Sequence, residues 1–142
     1  MIHNIEINWL DGVAFTAEGD GNKITIDSPV EAGGENRGIR PKMLLLASLG
    51  SCTAVDIVTI ARKMRMDLQK LKIEVEGKLT ETHPKIYETI LLRYIFTGEN
   101  LVREKLIKAI ELSQGKYCGV TAMIEKTVKI NYEVVINLPD KF

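Results

Sequence analysis

The sequence predicts an α+β fold, with elements in the order βββ-α-ββ-αα-β. Three observations carry this. Segments of strict apolar–polar alternation open and close the chain. A nineteen-residue stretch, 43–61, holds one charge, Asp56. The regular strand–helix alternation of a nucleotide-binding sheet is absent.

Each element has its own signal. Ile5, Ile7 and Trp9 alternate with polar residues, and Asp11-Gly12 is a two-residue hairpin signal. Val13, Phe15 and Ala17 alternate next. Asp20-Gly21-Asn22 marks a second turn, and Ile24 and Ile26 a third strand. Residues 31–40 are polar and glycine-rich and read as a loop. Pro41 suits the first turn of a helix, where its missing N–H is not needed. That helix is predicted from Pro41 to Arg65, ~36 Å long at 1.5 Å per residue. It is apolar on every face as far as Ala61, so a buried central position is expected. One chain of this size has difficulty surrounding such a helix, which points to an intertwined dimer. Leu71, Ile73, Val75 and Leu79 then alternate with lysines and glutamates, and a second strand covers Ile86 to Phe96 after a turn at Thr82–Lys85. Asn100 is a candidate cap for a second helix, whose inner face is Val102, Leu106, Ala109, Ile110 and Ser113 and whose stop is Gly115. Cys118 to Glu125 reads as a short third helix, and Val128 to Ile136 as the last strand.

At 142 residues, 45% hydrophobic and 27% charged, the chain is in the globular range, and one domain over 1–142 is expected. Nineteen basic residues balance nineteen acidic ones, which disfavours a nucleic-acid partner needing a basic stripe. The first ten residues alternate rather than forming a secretory signal, so a cytoplasmic location is expected. A membrane span over 43–61 is disfavoured by Asp56, which costs ~2.5–3.5 kcal/mol near a bilayer centre. Two cysteines do not make a disulfide scaffold; they are buried filler or a redox pair.

Cys52 lies on the long helix, with Ser48, Leu49, Val55 and Asp56 three and four residues away. Burial and a carboxylate both raise a thiol pKa, so a reactive Cys52 needs a cation from elsewhere. Arg37 and Arg40 in the glycine-rich loop are candidates. Cys118 lies near a helix start, where unpaired N–H groups favour a thiolate. Spacing alone does not say whether the two cysteines meet. His3 and His83 lack zinc-ligand spacing, the loop lacks a P-loop lysine, and Ser48 and Ser51 lack a histidine partner.

The block 40–53 (RPKMLLLASLGSCT), continued by Val55-Asp56-Ile57-Val58, resembles the central helix of the OsmC/Ohr family (osmotically inducible protein C and organic hydroperoxide resistance protein). Lys116 to Ala122 (KYCGVTA) resembles that family's second cysteine motif, and the element order fits nearly the whole chain. The resemblance implies an OsmC-like fold, an intertwined homodimer with sites at the subunit interface, and a thiol peroxidase acting on organic hydroperoxides. By motif, Cys52 corresponds to the peroxidatic cysteine and Cys118 to the resolving one. An external dithiol would be the reductant, and no metal or organic cofactor is implied. Two positions depart from the pattern. Family peroxidases carry a catalytic arginine in the N-terminal hairpin region, whereas residues 1–36 here contain none. They also carry a glutamate after the helix-opening proline, where this chain has Lys42. Arg37, Arg40 or Lys42 are the substitutes on offer for the cation, and Glu35 for the carboxylate. The Gly34–Gly38 segment (GENRG) resembles the less characterised branch of the family. The alternative expectation is a dimeric binding protein of the same fold, holding a small ligand without turnover.

Overall fold

A computed structural model describes residues 1–140. The described chain forms two compact units, Met1–Leu45 and one beginning at Leu46.

The first unit is the predicted meander. Strands β1 (Glu6–Asp11), β2 (Ala14–Gly19) and β3 (Asn22–Ile26) pair antiparallel in that order. Asp11 pairs with Ala14, so the two-residue turn is Gly12-Val13, one residue later than the sequence signal. The positive φ of 50° falls on Gly12, where it carries no side-chain strain. Loop 27–40 is organised by Asp27, whose carboxylate is buried. It accepts the N–H groups of Ser28 (2.7 Å), Glu35 (3.1 Å) and Arg37 (3.1 Å), and Arg37 Nε at 3.3 Å. Gly34 and Gly38 are required by space. A Cβ at Gly34 would lie 2.0 Å from the Ser28 carbonyl oxygen, and one at Gly38 would lie 2.2 Å from that of Thr25.

Helix α1 (Pro41–Lys63) starts where Pro41 predicts. It ends two residues before the predicted Arg65, which instead takes a φ of 56°. The Met66 N–H then closes on the Ala61 carbonyl at 3.0 Å, satisfying an end carbonyl. α1 is long and apolar enough to cross a membrane. Its burial differs from expectation: within one chain only Leu49, Gly50, Thr53, Ile57 and Ala61 are buried, while Val55 is 66% exposed.

The second unit is built on β4 (Leu68–Leu79), β5 (Tyr87–Gly98) and β6 (Lys129–Asn137), in the order β4-β5-β6. β4 and β5 are antiparallel, and β5 and β6 are parallel. A parallel pair needs a long crossover, supplied by α2 (Arg103–Leu112) and α3 (Gly119–Ile124). β5 lies between two strands and buries every second side chain: Ile90, Leu92, Tyr94 and Phe96. These cluster with Leu49, Ile57 and Ala61 of α1 and with Leu106 and Ile110 of α2. Each such aliphatic side chain contributes ~1.5–3 kcal/mol on burial. Between these positions, Arg93 pairs with both register neighbours, Glu74 on β4 (3.6 Å) and Glu133 on β6 (3.1 Å).

Two further predicted helix boundaries change. Asn100 does not cap α2; it takes a φ of 56°, and Val102 occupies the cap with no side-chain hydrogen bond. Gly115 is not a stop. It lies inside a five-residue π-type turn, Ser113–Tyr117, that continues α2.

Burial alone would raise the Asp27 pKa, but the Arg37, Ser28 and Glu35 N–H groups and the Arg37 guanidinium hold it below the usual carboxylate range. Its folded pKa is therefore below the unfolded value of ~3.9. The stability it contributes is present above that pH and is lost as pH falls through the folded pKa. Melting curves from neutral pH to about pH 3 should show wild-type stability converging on that of Asp27→Asn as pH falls. A gap independent of pH would contradict this assignment.

Candidate dithiol site

Cys52 is half-buried on α1 and Cys118 is buried at the N-cap of α3, both as free thiols. Sixty-five residues lie between them, yet the thiols come close enough for Cys118 to raise the Cys52 pKa. The π-type turn makes this possible. It ends with the Cys118 N–H donating to the Ser113 carbonyl at 2.7 Å. α3 then begins at Gly119, and its first free N–H groups serve the sulfurs. Thr121 N–H donates to Cys118 Sγ at 3.3 Å, and the Val120 N–H is near enough to Cys52 to lower its pKa.

A chain of polar groups ties α1 to the end of α2. Gln114 Nε2 donates to Tyr94 Oη at 2.9 Å, and Tyr94 Oη lies 3.0 Å from Thr53 Oγ1. Ser113 Oγ lies 2.8 Å from both Thr53 Oγ1 and Asp56 Oδ2. Each hydroxyl has one proton, and a carboxylate only accepts. With the Ser113 proton directed to Asp56, Thr53 donates to Ser113 and Tyr94 donates to Thr53. The result is a one-way chain, Gln114 to Tyr94 to Thr53 to Ser113 to Asp56, in which every hydroxyl is satisfied.

The electrostatics oppose ionisation of Cys52. Burial pushes its pKa up most, and the Cys118 hydrogen bond adds to this; the Val120 N–H pulls it down; the charges of Cys118 and Asp56 raise it further. Burial likewise pushes Tyr94 up.

The remaining sequence candidates lie in the first unit. Arg37 and Glu35 are paired at 3.3 Å. Arg37 also engages Asp27 through Nε and clasps Asp11 with both terminal nitrogens. The Asp11 bond is the largest of the effects that raise the Arg37 pKa. Arg40 is exposed, enters no ion pair among the described residues, and gives its carbonyl to the Leu44 N–H. No group of three His, Cys, Asp or Glu side chains converges on a metal position among the described residues.

Sequence reasoning missed Thr53, Tyr94, Gln114 and Thr121, and it read Ser113 only as part of an apolar helix face. A serine in a row of Leu106, Ala109 and Ile110 was the one legible signal. Tyr94 reaches the site from a distant strand and carried none.

Two neighbouring free thiols, one on a central helix and one at the cap of a crossover helix, define a dithiol site on an α+β frame. The chain belongs to the OsmC-like protein family, whose model matches residues 33–133. It is 32% identical to Protein YhfA of Escherichia coli over 132 residues, covering 91% of this chain and 96% of that protein. The crystal structure of a hypothetical protein from Aquifex aeolicus superposes with a TM-score of 0.87 at 31% identity, over 99% of each chain. An organic hydroperoxide resistance protein OsmC from Legionella pneumophila shares the fold, with a TM-score of 0.72 and 21% identity over 95% of this chain and 97% of that one.

Because Cys52 is raised, iodoacetamide should alkylate it more slowly at pH 7 than an ordinary thiol, whose pKa is ~8.5. Asp56→Asn removes an opposing charge and should speed alkylation at every pH below the thiol pKa. Peptide mass spectrometry of Cys52 labelling reads both; an unchanged rate in Asp56→Asn would remove the carboxylate from the account.

Proposed function

We propose that this protein is a thiol peroxidase that reduces organic hydroperoxides. The observation that carries the reading is the pairing of the Cys52 thiol with Cys118, which lies near enough to raise its pKa. Family membership and the hydroperoxide resistance protein among the structural neighbours support it. The Cys52 thiolate attacks the peroxide oxygen, the O–O bond breaks, and the alcohol leaves with a proton. The resulting Cys52 sulfenic acid condenses with Cys118, forming a disulfide and water. An external dithiol reduces the disulfide and restores both thiols. The cycle uses the protein's own sulfur and belongs in a reducing compartment, the cytoplasm.

Burial works against the Cys52 thiolate, so a cation is required. We assign that role to Arg40 ahead of Arg37, because Arg37 is already held by Asp11, Asp27 and Glu35. Glu35 is then a brace for Arg37. A homodimer is part of the reading. Val55 on α1 and Met123 on α3 are two-thirds exposed, and α1 and β4 flank an apolar groove of about 340 Å³ that includes Leu46, Ala54, Val58, Leu71 and Val75. A second copy of the chain is the occupant that family membership favours.

Purified protein given cumene hydroperoxide and dithiothreitol should turn over. Cys52→Ser should lose activity entirely, and Cys118→Ser should stop at a sulfenic acid that dimedone traps. Full turnover in Cys52→Ser would refute the mechanism. Two unreacted thiols in the peroxide-treated wild type would favour the ligand-binding alternative. Sedimentation should give twice the 15.9 kDa chain mass; a monomer at micromolar concentration would refute the dimer.

A further inference from the structure

Thr121 is 1% exposed, and its Oγ1 is buried with no hydrogen-bond partner among the described residues. Buried hydroxyls are satisfied in most proteins, and an unmade hydrogen bond there is destabilising. A helical hydroxyl has an easy remedy, the carbonyl three or four residues back. Ser51 takes it at Ala47 (2.7 Å) and Thr59 at Val55 (2.8 Å). Thr121 does not. Its surroundings say what the hydroxyl can serve. Side chains on a helix lean toward its N-terminus, so Thr121 leans over the Cys118 cap. Its own N–H is 3.3 Å from Cys118 Sγ, and the neighbouring Val120 N–H lies near enough to Cys52 to act on its thiol. The unpartnered donor therefore belongs to the segment where the two sulfurs meet.

We propose that the Thr121 hydroxyl is a catalytic donor to the oxygen atom that Cys52 gains on oxidation. This rests on the peroxidase reading above. Thr121 Oγ1–H donates to the oxygen of the Cys52 sulfenic acid and holds it while Cys118 attacks the Cys52 sulfur. The S–S bond forms as the S–O bond breaks. The Cys118 sulfur is oxidised, the Cys52 sulfur is reduced, and the oxygen leaves with its bonding pair, taking the proton from Cys118 to depart as water. In the reduced protein no oxygen is present and the donor has no partner.

The test compares two oxidants on wild type, Thr121→Val and Thr121→Ser. Cumene hydroperoxide places oxygen on Cys52; diamide joins thiols without it. Disulfide formation is followed by acid quench and mass spectrometry, with dimedone trapping the sulfenic acid. With hydroperoxide, Thr121→Val should form the disulfide at least about tenfold more slowly and accumulate sulfenic acid, and Thr121→Ser should restore the rate. With diamide all three should react alike. The melting temperature of reduced Thr121→Val should equal or exceed that of wild type. Equal slowing with both oxidants would show a packing role and overturn the proposal, as would no slowing with hydroperoxide. Thr121→Ala gives the same comparison if the valine does not fold. A wild type that forms neither sulfenic acid nor disulfide with hydroperoxide would overturn the peroxidase reading itself, and the proposal with it.

Discussion

Ser113 holds the thiol site together from both of its polar groups. Its carbonyl takes the Cys118 N–H, and its hydroxyl lies against Thr53 and Asp56 on α1. The first contact fixes where α3 begins. The second fixes where the end of α2 meets the helix that carries Cys52. The π-type turn is needed because the chain must leave α2 while one residue satisfies both demands. Without this tie, Cys52 and Cys118 would belong to separate pieces of helix with no reason to meet.

Burial does most to raise Cys52, and Asp56, one helical turn along α1 and hydrogen-bonded by Ser113, adds to it. A buried polar network strengthens when every member is satisfied and is costly when one is not. Here Tyr94, Thr53, Ser113 and Gln114 are all satisfied. Thr121, a few residues away on α3, is the exception. The contrast separates groups that build the frame from a group left with an unused donor.

The fold was largely legible in the residues because its signals are local. Period-two alternation located all six strands, and Pro41 located the start of α1 to the residue. The misses were at helix ends, where capping depends on a few backbone angles. Asn100 has a cap's chemistry, but it sits in the left-handed region and Val102 takes the position. Gly115 has a stop's chemistry, but the need to place Ser113 carries the chain past it in a wider turn. The long helix was read as buried all round because its composition is. Only its Leu49, Gly50, Thr53, Ile57 and Ala61 positions are buried, and Val55 stays exposed.

By itself the sequence determined the α+β order, the two cysteine motifs and the family they resemble, because these depend on residue type and short spacing. It also pointed to a raised Cys52, since the helix around it is apolar enough to be buried and Asp56 lies one helical turn away. Only the tertiary structure decided that the two thiols are neighbours, that Tyr94 of β5 completes the polar chain, and that Arg37 is a brace for Asp11 and Asp27. Each is a contact between residues far apart in the chain. The energy that selects it comes from packing and from satisfying buried polar groups, and neither is written in the spacing of residues.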